Sequence, residues 1–297
     1  MTTISLIRKA AAFGLLVLVM AQTQPAVAES VGPVIWMPSM NTFRRFDSDP
    51  GQLYAFYGDV LGFEQLTTFD VGNNAQVARI KAGATELKFT RRTPNRSYVD
   101  GGVRDATGLR LWTFFFTDEA ALVERFRQHG FAVPVFHDWG GTGHRSAIID
   151  DPDGQAVELV ITGDRPGTHY DEVEIGLTVS DMDASRAFYR DFVGLEELEP
   201  RHDPVFDTMK YSFRNGATTI SLRSFGGDLP ADTGSGGIQY VVSNVDRVDE
   251  LAREQQITIE QPLSGLPGFA LRTIWLDDPD GITNYFAETA QARSAAQ

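Results

Sequence analysis

Glu158 stands four residues after Gly154, the last residue of the pentapeptide DDPDG at Asp150–Gly154. Pro152 presets φ for a turn, Asp153 can bond back to the backbone, and Gly154 accepts a positive φ, so the motif launches a strand in fixed register. On a period-two strand Glu158 shares its face with Ala156 and Val160. A carboxylate between such neighbours is poorly solvated, which suits a general base or acid working near neutral pH. Glu86, in the segment GATELKF, is the second carboxylate expected on that cavity; two of them facing one apolar space would raise each other's pKa. The bland alternative pairs each with an arginine, such as Arg79 or Arg145, to fix the sheet.

His144 and His137 flank the Gly-rich stretch DWGGTG, and His144 could act as acid–base catalyst or unusual ligand, or simply pack in its loop. Arg145 and Arg272 each stand five residues before a DDPDG motif. Either could clamp a ligand carboxylate through its planar fork, or pair with the adjacent acids. Trp139, in the Gly-rich stretch, is the tryptophan best placed to stack on a ligand; Trp36, Trp112 and Trp275 read as core.

Composition removes whole classes of function. The chain has no cysteine, which excludes disulfides, zinc–thiolate sites, iron–sulfur clusters and a thiol nucleophile. A net charge of −14 repels phosphate backbones and anionic lipid, so nucleic acid and membrane surfaces are not expected partners. The expected partner is a small molecule, with the chain a monomer or homodimer. No GxSxG, GxxxxGK[ST] or helix-opening GxGxxG supports hydrolase, nucleotide or Rossmann readings. Arg8 and Lys9, the apolar run Ala10–Ala21 and the Ala26-Val27-Ala28 site read as a cleaved signal peptide over 1–28. The expected address is periplasmic or secreted.

The elements that position these residues come in copies. Phe56-Tyr57 recurs as Phe188-Tyr189, Gly83–Phe89 as Gly216–Leu222, and Asp150–Gly154 as Asp277–Gly281, each about 130 residues on. Within each copy a strand, a helix and further strands occur twice. Val173, Ile175, Leu177 and Val179 alternate with Glu174, Gly176 and Thr178, the pattern of a strand with two distinct faces. Ser180 or Asp181 can cap the helix that follows, and Gly194 can end it. The expected layout is a first domain over 34–162, a polar linker over 163–171 and a second domain over 172–290.

The Phe-Tyr-x-Asp-x-(Leu/Val)-Gly element, followed by the DPDG hairpin and Glu158, resembles the glyoxalase, bleomycin-resistance and extradiol-dioxygenase superfamily, also called vicinal oxygen chelate proteins. The resemblance implies an α+β fold of four βαβββ modules in two tandem pairs. Each pair is then an open, U-shaped, eight-stranded sheet with helices outside and Glu158 on the concave face. In metal-using relatives a carboxylate at the Glu158 position joins histidines near the starts of module-opening strands. Counted from the Phe-Tyr pairs, those positions fall on Glu174 and on Thr42 or Asn41; in the even modules they fall near Leu111 or Arg110 and on Gly237. None is histidine, and the last module carries Tyr285 in place of Glu158. No cofactor is therefore expected; if a metal is present, it is a divalent ion involving Glu158.

Two functions follow from the resemblance. One is an exported small-molecule enzyme of lyase or isomerase type without the usual metal site. In it Glu158 and His144 are catalytic, and Glu86, Arg145, Trp139, Tyr285 and Glu174 bind substrate. The other is a metal-independent protein that sequesters a small ligand, as bleomycin-resistance proteins do.

Overall fold

The structure, a computed structural model, describes residues 29–70, 76–92, 95–138, 144–162, 172–266 and 268–296. The segment read as a signal peptide, the expected linker and Trp139 lie outside these residues. No described helix is long and apolar enough to cross a membrane.

Four modules share one plan. The first holds β1 (Asn41–Phe46), α1 (Pro50–Leu53, running into a π turn at Tyr54–Val60), β2 (Glu64–Asp70), β3 (Gln76–Ala82) and β4 (Thr85–Arg91). The second holds β5 (Gly108–Phe116), α2 (Glu119–Gln128), β6 (His137–Asp138), β7 (His144–Asp150) and β8 (Ala156–Thr162). The third holds β9 (Val173–Thr178), α3 (Met182–Ala187, running into a π turn at Phe188–Phe192), β10 (Glu196–Glu197), β11 (Arg201–Asp203), β12 (Thr208–Asn215) and β13 (Thr218–Arg223). The fourth holds β14 (Gly236–Val242), α4 (Val245–Glu254), β15 (Ile259–Gly265), β16 (Leu271–Asp277) and β17 (Thr283–Thr289), with α5 (Ala290–Ala295) closing the chain. Each module helix starts where a short polar side chain takes an orphan amide. Asp49 accepts from Gly51, Asp118 from Ala121, Asp181 from Ala184 and Asn244 from Arg247.

The fold class is α+β with open mixed sheets, as the sequence led us to expect, but one sheet has nine strands instead of eight and the partners within each sheet differ. One sheet runs β15-β16-β17-β14-β1-β4-β3-β2 and joins the first module to the fourth. The other runs β10-β12-β13-β9-β5-β8-β7-β6, with β11 as a ninth strand beside β12, and joins the second to the third. Opening strands make both seams, β1 antiparallel to β14 and β5 antiparallel to β9. Small residues permit the close approach. A Cβ on Gly237 would meet the Phe43 ring at 2.4 Å, and one on Gly176 would meet the Leu111 Cβ at 2.7 Å.

Consecutive modules meet instead through the backs of the sheets. The inward faces carrying Phe89, Trp112, Phe114, Ile175, Ile238 and Phe286 pack with the helices into a continuous apolar core. The repeated motifs tie this core. Tyr57 donates to the buried Asp151 at 2.7 Å and Tyr189 to the buried Asp278 at 2.8 Å. Asp151 Oδ1 also accepts the amides of Asp153 and Gln155, and Asp278 Oδ1 those of Asp280 and Ile282. The third acid of each turn reaches across modules, Asp153 to the amides of Asp47 and Ser48, Asp280 to that of Ser180. The DPDG acids therefore fix architecture, and the concave faces are left for chemistry.

Candidate functional site

Across the concave face of the second sheet, four residues stand in one row. Thr113 on β5 is flanked by Glu158 on β8 and Glu174 on β9, and Glu174 by Thr219 on β13. The same row in the first sheet reads Tyr285, Gln239, Asn41 and Glu86. These registers correct the counted positions. Of the two alternatives Asn41 holds the row position and Thr42 does not, because β1 runs on to Phe46 beyond it, one residue further than β9 runs beyond Glu174 to Thr178. Thr113 stands in the row instead of Leu111 or Arg110, and Gln239 takes the place given to Gly237.

The two carboxylates that share a cavity are thus Glu158 and Glu174, not Glu158 and Glu86. Glu86 lies in the other sheet, paired with Arg79. The row of the second sheet opens on a cavity of about 440 Å³ whose lining includes Thr113, His144, Glu158, Glu174, Lys210 and Thr219. Glu158 is buried, and its Oε2 accepts a hydrogen bond from Thr113 Oγ1 at 3.0 Å. Burial pushes its carboxyl above the usual range, and the charge of Glu174 adds to the shift. For Glu174 burial also opposes the charge, but Lys210 and Arg223 outweigh it and bring the carboxyl down to about 2. Lys210 Nζ reaches both Glu174 oxygens, at 3.1 and 3.0 Å, and Arg223 reaches Oε1 at 3.1 Å. Arg223 is held in turn by Asp203 at 2.7 Å and Ser221 at 2.8 Å. Environment has pushed two adjacent carboxylates apart, one kept charged and one made readier to hold a proton.

The other expected site residues divide. His144 lines the same cavity from the start of β7. Arg145 also lines this cavity; its guanidinium pairs with Glu119 at the start of α2 and donates to the Phe136 carbonyl at 3.0 Å. Its repeat partner Arg272 does the same with Asp246 on α4, at 2.7 Å twice. The acids that bind these arginines are on helices, not in the DDPDG turns. Tyr285 lines the first sheet's cavity, where Trp275, expected in the core, stacks on it at 5.3 Å between centroids. Lys210 and Arg223 were missed by the sequence reading. The signal for Arg223 was available, since Thr219, Ser221 and Arg223 make one polar face along β13.

A divalent transition ion asks for several imidazole or carboxylate donors converging on a point. The row offers two carboxylates and two hydroxyls, and Lys210 and Arg223 already neutralise one of those carboxylates. No three His, Asp or Glu side chains converge among the described residues. This donor set does not fit such an ion.

Curled sheets made by paired βαβββ modules, each with a cavity in its concave face, define one fold class. The chain belongs to the Glyoxalase/Bleomycin resistance protein/Dioxygenase superfamily, whose family model matches residues 39–159 and 170–286. It is similar to the solved structure of glyoxalase I from Zea mays, with 19% identity and a TM-score of 0.68 over 84% of this chain and 92% of that one. It is also similar to a putative dioxygenase from Bacillus subtilis, with 14% identity and a TM-score of 0.57 over 86% of each chain. Likeness at these identities speaks for the fold alone. A comparison with curated proteins gives no match.

Proposed function

We propose that the protein is an exported enzyme that moves a proton at a carbon beside a carbonyl of a small molecule, in a lyase- or isomerase-type reaction centred on the second sheet. The observation that supports this reading most is Glu158, a buried carboxyl whose affinity for a proton is raised and which lines a cavity of ligand size. Thr113 engages its Oε2 and fixes its plane, while Oε1 has no donor among the described residues. In the proposed step Oε1 takes the proton from the substrate carbon, and the C–H electron pair moves onto the carbonyl oxygen. Lys210 stands beside it with three N–H groups, of which Glu174 takes two. The third donates to the developing enolate oxygen. Glu174 holds the ammonium in place, and Glu158 returns the proton to the neighbouring atom. The proposal needs no metal, consistent with a donor set that does not suit one. Export rests on the first 28 residues, and intact mass of protein from the native envelope tests it, with a chain beginning at Glu29 as the expected result.

Proton exchange tests the chemistry. Incubation with a panel of hydroxycarbonyl and dicarbonyl compounds in D₂O is expected to replace one C–H by C–D in at least one of them, followed by NMR. The exchange persists in EDTA and is lost in Glu158→Gln. Exchange that survives in Glu158→Gln, or that EDTA abolishes, overturns the assignment.

A further inference from the structure

The concave face of the first sheet is built for a different ligand. Its cavity, about 520 Å³, is walled largely by apolar surface. Trp275 and Tyr285 stack with an interplanar angle of 26°, and Phe43 leans on Tyr285 at 5.9 Å. On the opposite side Phe69 meets Phe269 edge to face at 5.6 Å. Rings so arranged leave a slot that accepts another aromatic face.

The slot also carries unbalanced positive charge. Arg45, Arg79 and Lys88 all line it. Glu86 is engaged by Arg79 and lies 3.8 Å from Lys88. Lys88 otherwise donates to two neutral groups, Gln239 and, at 3.3 Å, the Tyr285 hydroxyl. Arg45 has no carboxylate partner among the described residues; it donates to Thr90 and lies 5.3 Å from the Phe43 ring. In the β1–β4 register Phe43 is opposite Lys88 and Arg45 opposite Thr90, so the two cations are diagonal neighbours on one face. A half-buried guanidinium without a counter-charge is costly, and an anion that enters with it is correspondingly favoured.

We propose that this cavity is a second ligand site, separate from that around Glu158, and that it takes a small aromatic monocarboxylate. The ring lies between the Trp275–Tyr285 pair and Phe69, and the carboxylate meets Arg45 in a two-point contact with Lys88 beside it. The walls reject a strongly hydrated ligand such as a sugar, and the cations reject a neutral or cationic aromatic.

Calorimetry on the full mature chain with naphthalene-2-carboxylate as probe, and its neutral carboxamide as control, tests this. The carboxylate is expected to bind one per chain, and the carboxamide at least tenfold more weakly. Arg45→Gln and Lys88→Met each weaken the carboxylate at least tenfold and leave the carboxamide unchanged. Glu158→Gln leaves both unchanged, which separates this site from the proposed proton-transfer site. Equal affinity for acid and amide overturns the proposal. So does carboxylate binding that survives both cation variants, or no binding at millimolar probe to folded protein.

Discussion

The two concave faces are the same frame carrying opposite contents. Where the second sheet has Glu158 beside Thr113, the first has Tyr285 beside Gln239; where the second has Glu174 beside Thr219, the first has Asn41 beside Glu86. One step along, Gly176 leaves room for Arg223, whose guanidinium would lie 3.2 Å from a Cβ there. Phe43 fills the equivalent space in the first sheet. The second sheet therefore buries a charged network, and the first buries rings with cations at their edge. Backbone register is shared, so the difference in chemistry comes from a handful of side chains at matched positions. A duplicated frame can part the work of moving protons from the work of holding an apolar ligand without altering a strand.

The sharpest break in that comparison is a pair of conservative substitutions at matched positions. Glu158→Gln is expected to lower turnover by about 10²- to 10⁴-fold, the usual contribution of a general base, with little change in melting temperature. Tyr285→Phe is expected to leave turnover unchanged. Loss of turnover in Tyr285→Phe alone would move the reaction to the first sheet.

Stability offers the next largest contrast. Arg223→Met leaves Glu174 and Asp203 without their shared buried cation. Removing one partner of such a network costs about 3–5 kcal/mol, measurable by urea titration. Arg79→Met removes the partner of Glu86 in the first sheet, where both side chains retain solvent contact. That change is expected to cost about 1 kcal/mol or less. Similar losses at the two positions would mean the faces do not differ in how they bury charge.

Much of the architecture was legible because local patterns repeat. Alternation at Val173–Val179, the Phe-Tyr pairs and the DDPDG turns located the modules and the strand that carries Glu158. Which modules share a sheet was not legible. All four opening strands have similar apolar faces, and the seams depend on contacts such as Gly237 under Phe43 that join residues far apart in sequence. That error moved Glu86 into the wrong cavity. In the even modules the counted positions fell two residues short of Thr113 and Gln239, because their helices carry no Phe-Tyr pair to anchor the count. The ion-pair partner of Arg145 was hidden for another reason. Its acid, Glu119, lies on a helix whose docking no local motif announces.

A third contrast concerns the two DDPDG turns, which differ in one neighbour. Asp151 has the buried Arg44 guanidinium 3.8 Å away, whereas Asp278 has no ion-pair partner among the described residues, only the hydroxyl of Tyr189 and two amides. Burial pushes Asp278 from 3.8 up to about 7. The folded protein thus retains a proton that the unfolded chain releases, so this group's contribution to stability is full below pH 3.8 and is lost as pH rises through 7. Unfolding free energy from urea titrations is expected to fall by roughly 3 kcal/mol between pH 5 and pH 8 on this account. Glu174, brought down to about 2, loses its contribution only as pH falls below 4.5, outside that window. Asp278→Asn mimics the protonated form and is expected to flatten the slope, while Asp151→Asn changes it less and costs Arg44 its counter-charge. An unchanged slope in Asp278→Asn would show that the second turn holds a carboxylate as readily as the first, and that Arg44 does not distinguish them.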